Sequence, residues 1–214
     1  MSKLKPIVPQ QNPPKKPIKR PTIPSGEIRI IGGQWKRTKL SVADFPGLRP
    51  TPDRVRETLF NWLGQDVSGW RCVDAFAGTG ALGFEAASRG AVHVLMCEQQ
   101  PALVAQLQAT ATKLQAGAVR VERGDGVSAL KRLPQKSIDL VFLDPPFDVI
   151  GALGALDVAK AALAAASLAV TDEGFIYLET PQALRAENAE AFGLQIHRFG
   201  KAGVVHYHLL QKLG

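Results

Sequence analysis

The pattern of hydrophobic and polar positions becomes regular from about residue 64 onward. Short apolar runs, typical of buried strands, alternate there with longer segments of helical periodicity. The predicted strands cover residues 70–76, 92–98, 119–123, 138–143, 174–179, 194–199 and 204–210. The predicted helices between them cover residues 81–89, 101–115, 127–133 and 151–168. Such alternation predicts a parallel sheet with right-handed crossovers, followed here by a C-terminal antiparallel hairpin. We therefore expect residues 64–214 to form a Rossmann-like α/β core with a mostly parallel seven-stranded sheet.

Residues 28–63 predict a hairpin and a helix that precede this core. Two apolar runs flank Gly32-Gly33, and a glycine pair between such runs is a hairpin signal. Further on, Thr51 is expected to N-cap a helix that has Pro52 at its first position and ends near residue 63.

The positive charge of the chain is concentrated near its N-terminus. The 214 residues carry a formal charge of +7, yet residues 1–63 hold 13 Lys and Arg against 4 Asp and Glu, whereas residues 64–214 hold 13 against 15. Seven of the 15 prolines precede Ser25, where apolar residues are sparse, so residues 1–27 are expected to form a disordered Pro/Lys-rich arm. This asymmetry suggests a polyanionic partner, with nucleic acid first; a solvated tail that aids solubility is the alternative.

Basic side chains of the hairpin and helix are the candidate nucleic-acid contacts. In the hairpin they flank Trp35, which predicts an RNA-contact surface or, alternatively, an ordinary exposed hairpin with Trp35 packed inward. On the helix, Arg54 and Arg56 lie off the apolar stripe. They could reach phosphate or the carboxylate of a ligand, or pair with acids as part of the structure, and the sequence leaves both options open. The candidate RNA contacts are Arg29, Lys36, Arg37, Arg49, Arg54 and Arg56.

Composition argues against a membrane protein and against a metalloprotein. No apolar run is long enough to span a bilayer, and no signal peptide is visible. Cys72 and Cys97 fall in predicted core strands, as expected of buried side chains in a reducing compartment. His206 and His208 alternate along the last strand without the further ligands of a metal site. We therefore expect a cytoplasmic monomer that binds neither a membrane nor a metal.

A glycine turn between the first predicted strand of the core and its helix is the first candidate binding site. Gly78, Gly80 and Gly83 satisfy G-x-G-x-x-G, and Glu98 follows Gly78 by 20 residues, where it suits a ribose diol. Because Asp74 lies just upstream, the pyrophosphate of a dinucleotide would meet a like charge, whereas S-adenosylmethionine carries an ammonium and a sulfonium group. The turn therefore favours S-adenosylmethionine and leaves NAD as the alternative.

Acidic residues fall at or near the carboxyl ends of four predicted strands: Asp74, Glu98, Asp125 and Asp144. Because ligands of open α/β sheets bind at this edge, we expect the four carboxylates to converge there. Asp125 lies between two glycines and could instead be only a cap or turn residue. The candidate cofactor-binding residues are Asp74, Gly78, Gly80, Glu98 and Asp125.

The motif Asp144-Pro145-Pro146-Phe147 directly follows an almost wholly apolar predicted strand. Two consecutive prolines hold an extended backbone without N–H groups, so the Pro145 carbonyl and the Asp144 carboxylate offer two acceptors at a fixed separation. They match the two donors of a planar amine, and Phe147 offers a face on which a base can stack. Holding both hydrogens favours a pyramidal nitrogen whose lone pair faces a methyl donor. The candidate catalytic residues are Asp144, Pro145, Pro146 and Phe147.

Other functions remain as alternatives. A DNA or RNA adenine-N6 methyltransferase fits the same motif, although the chain lacks an obvious target-recognition domain. An NAD-dependent oxidoreductase explains the glycines but leaves the double-proline motif without a use. A non-catalytic RNA-binding module would require an empty donor pocket, and all parts of such a pocket are present in the sequence.

Six segments, at residues 29–33, 36–40, 49–57, 59–63, 74–83 and 144–147, occur together in a known family. Over residues 28–214 the chain resembles the bacterial 16S rRNA guanine-N2 methyltransferases of the RsmD type, and residues 49–57 are the most specific match. The resemblance implies a class I S-adenosylmethionine-dependent methyltransferase in which the candidate cofactor residues bind the donor and residues 144–147 hold the guanine amine. It implies one guanine of 16S rRNA as the substrate, presented on the assembled small ribosomal subunit.

Overall fold

The computed structural model describes residues 27–41, 45, 48 and 50–214, apart from the side chains of residues 41 and 147–156. Its strands are β1 (Glu27–Arg29), β2 (Lys39–Ser41), β3 (Arg71–Asp74), β4 (His93–Glu98), β5 (Val119–Arg123), β6 (Ile138–Leu143), β7 (Val170–Thr180), β8 (Leu194–Ala202) and β9 (Val205–Lys212). Its helices are α1 (Asp53–Trp62), α2 (Ala81–Ser88), α3 (Pro101–Lys113), α4 (Gly126–Arg132), α5 (Phe147–Ala169) and α6 (Ala186–Glu190). None of these helices combines the length and the apolar character needed to cross a bilayer. The predicted arm, residues 1–27, lies outside the described residues except for Glu27, which opens β1.

Seven strands form one sheet in the order β5-β4-β3-β6-β7-β9-β8. The pairs from β5 to β7 are parallel, and β9 runs antiparallel to both β7 and β8. The chain order reverses direction between β3 and β6, and in open α/β sheets ligands bind in the crevice at the carboxyl ends of the strands beside such a point. The predicted Rossmann-like α/β fold with a C-terminal antiparallel hairpin is confirmed.

Helices cover both faces of this sheet. On one face, α1, α2 and α3 pack over a cluster that includes Phe60, Phe84 and Phe142. On the other face, α4, α5 and α6 pack over a cluster that includes Val141 and Ile176. Strands covered on both faces read as continuous apolar runs, which is why β6 was recognisable from its sequence. Polar groups on the central strands can therefore meet a ligand only where those strands end.

The two N-terminal strands pair, but their connection is not a tight turn. β1 and β2 are antiparallel, and residues 30–38 form a wide loop between them. Gly32-Gly33 packs against the end of α2. Gly33 has a φ of +71°, and a Cβ there would lie 1.8 Å from the Ser88 carbonyl oxygen. The Ser88 hydroxyl donates to the Gly32 carbonyl, and the Trp35 N–H donates to that hydroxyl. The glycine pair thus serves to dock the loop on the core.

The start of α1 differs from the predicted cap. Its first residue is Asp53, and Pro52 occupies the N-cap position without a side-chain hydrogen bond. The Thr51 hydroxyl, which was predicted to cap the helix, instead donates to Asp144 at 3.4 Å, 93 positions along the chain. A tertiary contact replaces the local one and holds the start of α1 at the carboxyl edge of the sheet.

Arg56 is buried, so its assignment as an RNA contact is wrong and the structural option for this arginine is the correct one. Its side chain is fully inaccessible to solvent. The guanidinium donates to the Glu85 carboxylate at 3.0 Å, to the Asp53 carboxylate at 2.5 Å and to the Arg29 carbonyl at 2.8 Å, and its Nε donates to the Thr51 carbonyl at 3.2 Å. These bonds join the hairpin, α1 and α2.

Glu85 completes this buried network from α2. Like Arg56 it is fully buried, and it also accepts hydrogen bonds from the Arg89 guanidinium at 2.9 Å and from the Ile31 N–H at 2.9 Å. The Arg89 guanidinium lies 4.6 Å from the centroid of the Phe60 ring, within the range of a cation–π contact. Because every charge has a partner, burial of this network is tolerated.

Other differences concern the ends of elements. α5 begins at Phe147, four residues before its predicted start, so the proline pair leads directly into a helix. β7 begins at Val170, immediately after α5 ends. The short helix α6 was not predicted, and β8 contains an irregularity between Ile196 and Arg198 that interrupts its alternation.

Replacing Arg56 should destabilise the protein far more than replacing its neighbour on α1. We expect Arg56→Met to lower the free energy of unfolding by about 3–5 kcal/mol, because it leaves buried acceptors without their donor. The exposed Arg54 provides the matched control, and Arg54→Met should cost about 0.5 kcal/mol or less. Urea unfolding of both variants measures the difference. Equal stability would show that the buried network contributes nothing.

Candidate functional site

Asp74 is the last residue of β3 and is 2% exposed. Its Oδ2 atom accepts a hydrogen bond from the Gly83 N–H at 3.0 Å, and Gly83 is the third residue of α2. The carboxyl group therefore satisfies one of the free N–H groups at the start of this helix, as an N-terminal cap does. It joins the end of the strand to the start of the helix across the glycine turn.

Asp74 is held in a setting that disfavours its charge. The pKa of Asp74 is raised to about 7: burial is the largest cause, the Glu98 carboxylate adds to it, and hydrogen bonds from the N–H groups of Gly83 and Phe76 act in the opposite direction. A cationic group bound at this edge would favour the ionised carboxylate. The site therefore fits a ligand that carries positive charge better than one that carries a pyrophosphate.

Glu98 holds the glycine turn from the neighbouring strand. One of its carboxylate oxygens accepts from the Gly78 N–H at 3.0 Å, and the other accepts from the Gln100 N–H at 2.8 Å. Gly78 has a φ of +50°, a conformation that suits glycine. Because each oxygen keeps a further acceptor position and the residue is only half-buried, Glu98 can still bind the hydroxyl groups of a ligand.

Gly80, a candidate cofactor-binding residue of the motif, is required by the packing of the protein itself. A Cβ there would lie 2.6 Å from the Leu107 side chain and 2.7 Å from the Phe84 ring. Its φ of +78° places it at the N-cap of α2. Internal packing and backbone conformation therefore demand glycine at this position whether or not a ligand is bound.

Asp125 follows β5 and caps α4. Its side chain accepts from the Ser128 N–H at 2.8 Å and from the Gln99 amide at 3.2 Å. Partial burial raises the pKa of Asp125, but the hydrogen bonds from Ser128 and Gln99 outweigh it, and the pKa lies below its ordinary value. Glycine is required at the neighbouring position 126, since a Cβ there would lie 1.9 Å from the Ala75 carbonyl oxygen. The loop that carries Asp125 therefore packs closely against the residue that follows β3.

Asp144 lies at the end of β6, beside β3, and belongs to a second group of polar side chains. The residue is half-buried, and its Oδ2 accepts from the Thr51 hydroxyl. Glu179, near the end of β7, is 5% exposed and accepts from the Tyr177 hydroxyl at 2.7 Å. Pro145 is buried and Pro146 is exposed. Sequence reasoning did not identify Thr51, Tyr177 or Glu179 as site residues.

Both acids of this second group have raised pKa values. Burial of its carboxyl raises the pKa of Asp144 well above the ordinary value, the charges of Glu179 and Asp74 raise it further, and the Thr51 hydroxyl lowers it. Burial also raises the pKa of Glu179, against the hydrogen bonds from Tyr177 and Thr51. Because the charge of Glu179 disfavours ionisation of Asp144, the two carboxyl groups are expected to titrate as a coupled pair.

The structure thus brings the four predicted carboxylates to one edge of the sheet. Among the described residues, no group of three or more His, Cys, Asp or Glu side chains is arranged to hold a metal ion. The Arg49 residue and the Phe147 side chain, both predicted site groups, lie outside the described part of the chain.

The predicted RNA contacts are not all at this edge. Arg54 is exposed at the start of α1, close to Thr51. Lys36 and Arg37 are exposed in the loop that docks on Ser88, at the far end of α2. Because α2 has eight residues, this end lies about 12 Å along the helix from the glycine turn.

The sheet order, the glycine turn and the carboxylates at the switch point define a Rossmann-like class I methyltransferase fold. The chain belongs to the family described as conserved hypothetical protein 95, whose sequence profile matches residues 28–211. This assignment confirms the family resemblance noted from the sequence.

Several relatives of the chain share one name. A protein of Escherichia coli named ribosomal RNA small subunit methyltransferase D is 43% identical over 190 residues, which cover 88% of this chain and 91% of the relative. A Haemophilus influenzae protein of the same name is 45% identical over 126 residues, 57% of this chain and 65% of the relative. Among solved structures, Escherichia coli YhhF has a TM-score of 0.72 at 36% identity and covers 87% of this chain and 98% of its own.

The charge state of Asp74 should be visible in the stability of the free protein. Because its pKa is raised by folding, the folded state holds this proton more tightly than the unfolded state, and stability falls as pH rises from about 4 to about 7. We expect Asp74→Asn to lose less stability over this range than the wild type does. Urea unfolding at several pH values measures it.

Asp139 supplies a control of opposite sign. Partial burial raises its pKa, but the hydrogen bonds and charge of Arg71 outweigh this and hold the pKa below its ordinary value. Its contribution to stability is present above the unfolded pKa, so Asp139→Asn should lose stability near pH 7 and not at low pH. Parallel curves for Asp74→Asn and the wild type would contradict our account of Asp74.

Proposed function

We propose that this protein transfers a methyl group from S-adenosylmethionine to the exocyclic N2 amine of one guanine in 16S rRNA of the small ribosomal subunit. The observation that carries the proposal is the position of Asp144 and Pro145. They directly follow β6, the strand next to β3, and so lie beside a glycine turn that is held by Asp74 and Glu98.

On the donor side, Asp74, Gly78, Gly80, Glu98 and Asp125 would hold S-adenosylmethionine. Their fit rests on charge and hydrogen bonding: Asp74 is a buried carboxyl that a cation would ionise, and Glu98 is a half-buried carboxylate with acceptor positions left for a ribose. When bound, this cofactor supplies a methyl group on a positively charged sulfur. The residues of the chain bind and orient it.

On the acceptor side, the Asp144 carboxylate and the Pro145 carbonyl would each accept one N–H of the guanine amine. The ring of Pro146 restricts the backbone at Pro145, and this restriction fixes the direction of that carbonyl. Holding both hydrogens fixes the direction of the nitrogen lone pair, so orientation contributes a large part of the rate enhancement. The amine loses one proton on methylation, and the Asp144 carboxylate is the group placed to accept it.

The choice of RNA as the substrate rests on the relatives and on the distribution of charge. Relatives over most of the chain are named for ribosomal RNA of the small subunit. The exposed basic residues Arg29, Lys36, Arg37 and Arg54 would contact phosphates. A guanine buried in a helix must leave its stack to reach the two acceptors, whereas a guanine in a loop is already accessible.

The β8–β9 hairpin offers a second RNA-facing surface that the sequence did not suggest. Thr180 at the end of β7 pairs with His206, so the tip of this hairpin projects from the same edge as Asp144. Phe199 is 74% exposed there, and Lys201 two positions on is exposed on the same face. β8 is three strands away from β6, about 14 Å, which is a few nucleotides of chain. An exposed aromatic ring beside a lysine suits stacking on a flanking base.

Identification of the methylated nucleoside tests the proposal. Small subunits from cells that lack the corresponding activity are incubated with the protein and labelled S-adenosylmethionine, and the RNA is digested and analysed by mass spectrometry. We expect N2-methylguanosine in 16S rRNA, and a loss of about 100-fold or more in Asp144→Ala with donor binding retained. If the product is N6-methyladenosine, the acceptor is adenine and not guanine. If Asp144→Ala turns over at a near-normal rate, Asp144 has no part in the mechanism.

The loop residues Lys36 and Arg37 should contribute to RNA binding through charge alone. We expect the double variant Lys36→Ala/Arg37→Ala to bind small subunits more weakly and with a salt dependence reduced by about two phosphate contacts, because two cations are removed. Binding at a series of salt concentrations measures both effects. The affinity for S-adenosylmethionine should not change, and an equal fall in that affinity would place these residues in the donor site.

A control variant with the same change of charge is available on the other face of the sheet. Lys131 and Lys160 are exposed on α4 and α5, and their double alanine variant should leave the salt dependence of small-subunit binding unchanged.

The hairpin variant Phe199→Ala/Lys201→Ala should weaken binding of small subunits and reduce its salt dependence by about one phosphate contact, because one cation is removed. Equal weakening in the control variant would show that binding responds to net charge and not to these surfaces.

A further inference from the structure

The hydroxyl group of Thr51 lies between two carboxyl groups from different strands. Thr51 is 6% exposed, and its Oγ1 donates to Asp144 at 3.4 Å. Leu143 and Leu178 are partners in the pairing of β6 with β7, so Glu179 lies next to Asp144, and the same hydroxyl lowers the pKa of Glu179. On its far side Glu179 accepts from the Tyr177 hydroxyl. Asp144, Thr51 and Glu179 therefore form a cluster of neighbouring polar groups with the hydroxyl between the two acids, which we call the Thr51 bridge. The amine chemistry proposed above uses Asp144 alone and leaves the other two residues without a role.

A hydroxyl group in this position can pass on a proton. It has one hydrogen to donate and two lone pairs, so it can accept from a protonated carboxyl group on one side while it donates to a carboxylate on the other. Two neighbouring carboxyl groups with one proton between them satisfy both requirements. Among the described residues, no lysine or arginine forms an ion pair with Asp144 or Glu179, so no fixed cation forces both to ionise.

The position of Thr51 is also fixed through its backbone. Its backbone carbonyl accepts from the Nε atom of Arg56, which is held by Glu85 on α2. The residue is therefore anchored through the buried network and not by the helix that follows it, since α1 has no side-chain cap. A hydroxyl fixed in this way keeps its alignment with both carboxyl groups while Pro145 and Pro146 constrain the backbone after Asp144.

We propose that Thr51 and Glu179 are positioning residues that share one proton with Asp144, and that Glu179 takes up this proton through Thr51 when Asp144 binds the amine. The transfer moves a proton from Asp144 to the Thr51 oxygen while the Thr51 hydroxyl proton passes to Glu179. No group is oxidised or reduced. The proton that the amine later loses goes to Asp144, which is half-buried and can release it to water. This inference rests on the proposed amine chemistry.

Other ionisable groups face the bridge. Asp74 acts on Asp144 from β3, and Tyr207 on β9 lies close enough to act on Tyr177. Tyr207 also pairs with Glu179 across the two strands. The charge of Glu179 disfavours ionisation of Asp144, whereas the Thr51 hydroxyl favours it. Removing one or the other should therefore move the titration of Asp144 in opposite directions.

The test compares the pH profiles of kcat/KM for three variants, with methyl transfer to small subunits as the activity. In Glu179→Gln the limb on the acidic side should move to lower pH by about one unit, because a like charge is lost. In Thr51→Val it should move to higher pH by about one unit, because the ionised carboxylate loses a donor. Thr51→Ser keeps the hydroxyl and should leave the limb in place. A purely structural role would lower all three profiles without moving the limb.

A measurement without substrate separates this inference from the proposed function. In protein labelled with carbon-13 at aspartate carboxyl groups, nuclear magnetic resonance should show Asp144 titrating in two steps, and in one step in Glu179→Gln. If Asp144 titrates in two steps but the protein transfers no methyl group to RNA, the Thr51 bridge is supported and the proposed substrate is wrong. The opposite result is normal methyl transfer with a single titration step for Asp144, and an acidic limb of kcat/KM that does not move in Glu179→Gln or Thr51→Val. It would contradict the Thr51 bridge and leave the proposed function unchanged.

Discussion

One buried cation, the Arg56 guanidinium, holds together the parts of the molecule on which the candidate site depends. Its hydrogen bonds reach the hairpin at Arg29, the start of α1 at Thr51 and Asp53, and α2 at Glu85. Two of these segments lead to the carboxyl edge of the sheet: α2 begins at the glycine turn, and Thr51 contacts Asp144. Because a buried charge must keep its partners, these segments cannot separate without a large loss of stability. The described residues between 27 and 63 are thus part of the folded core as well as a candidate RNA surface.

Local patterns predicted the sheet well and the buried network poorly. β5 and β6 have the ends expected from the sequence, since an apolar run bounded by polar residues is a signal within the run itself. Helical spacing set Arg56 off the apolar stripe and left phosphate contact and internal pairing both open, because the residues that make its burial possible lie 27 and 29 positions away. The same limit explains Thr51. A threonine before a proline and an acid is a local cap signal, but its partner lies at the end of β6.

The candidate site shows a similar division between what a motif predicts and why its residues are needed. The glycine turn lies where the motif placed it, yet Gly80 is demanded by Leu107 and Phe84, and Gly126, which belongs to no motif, is demanded by the Ala75 carbonyl. A spacing rule cannot distinguish glycines that admit a ligand from glycines that admit neighbouring side chains. Glu179 also ends a predicted strand, as the four predicted acids do, but only the order of strands in the sheet shows that it lies beside Asp144.

The acids at the carboxyl edge carry an energetic cost that the remainder of the fold must offset. Asp74, Asp144 and Glu179 all have pKa values raised chiefly by burial, so the free protein is less stable near neutral pH than it would be with neutral side chains there. A cationic ligand would reverse this effect, because each acid would then ionise next to a positive charge. Local instability that a ligand relieves is characteristic of binding sites, where affinity and stability are opposed. The buried arginine network and the two-sided packing of the sheet supply the rigidity that allows the carboxyl groups to stay close together before any ligand arrives.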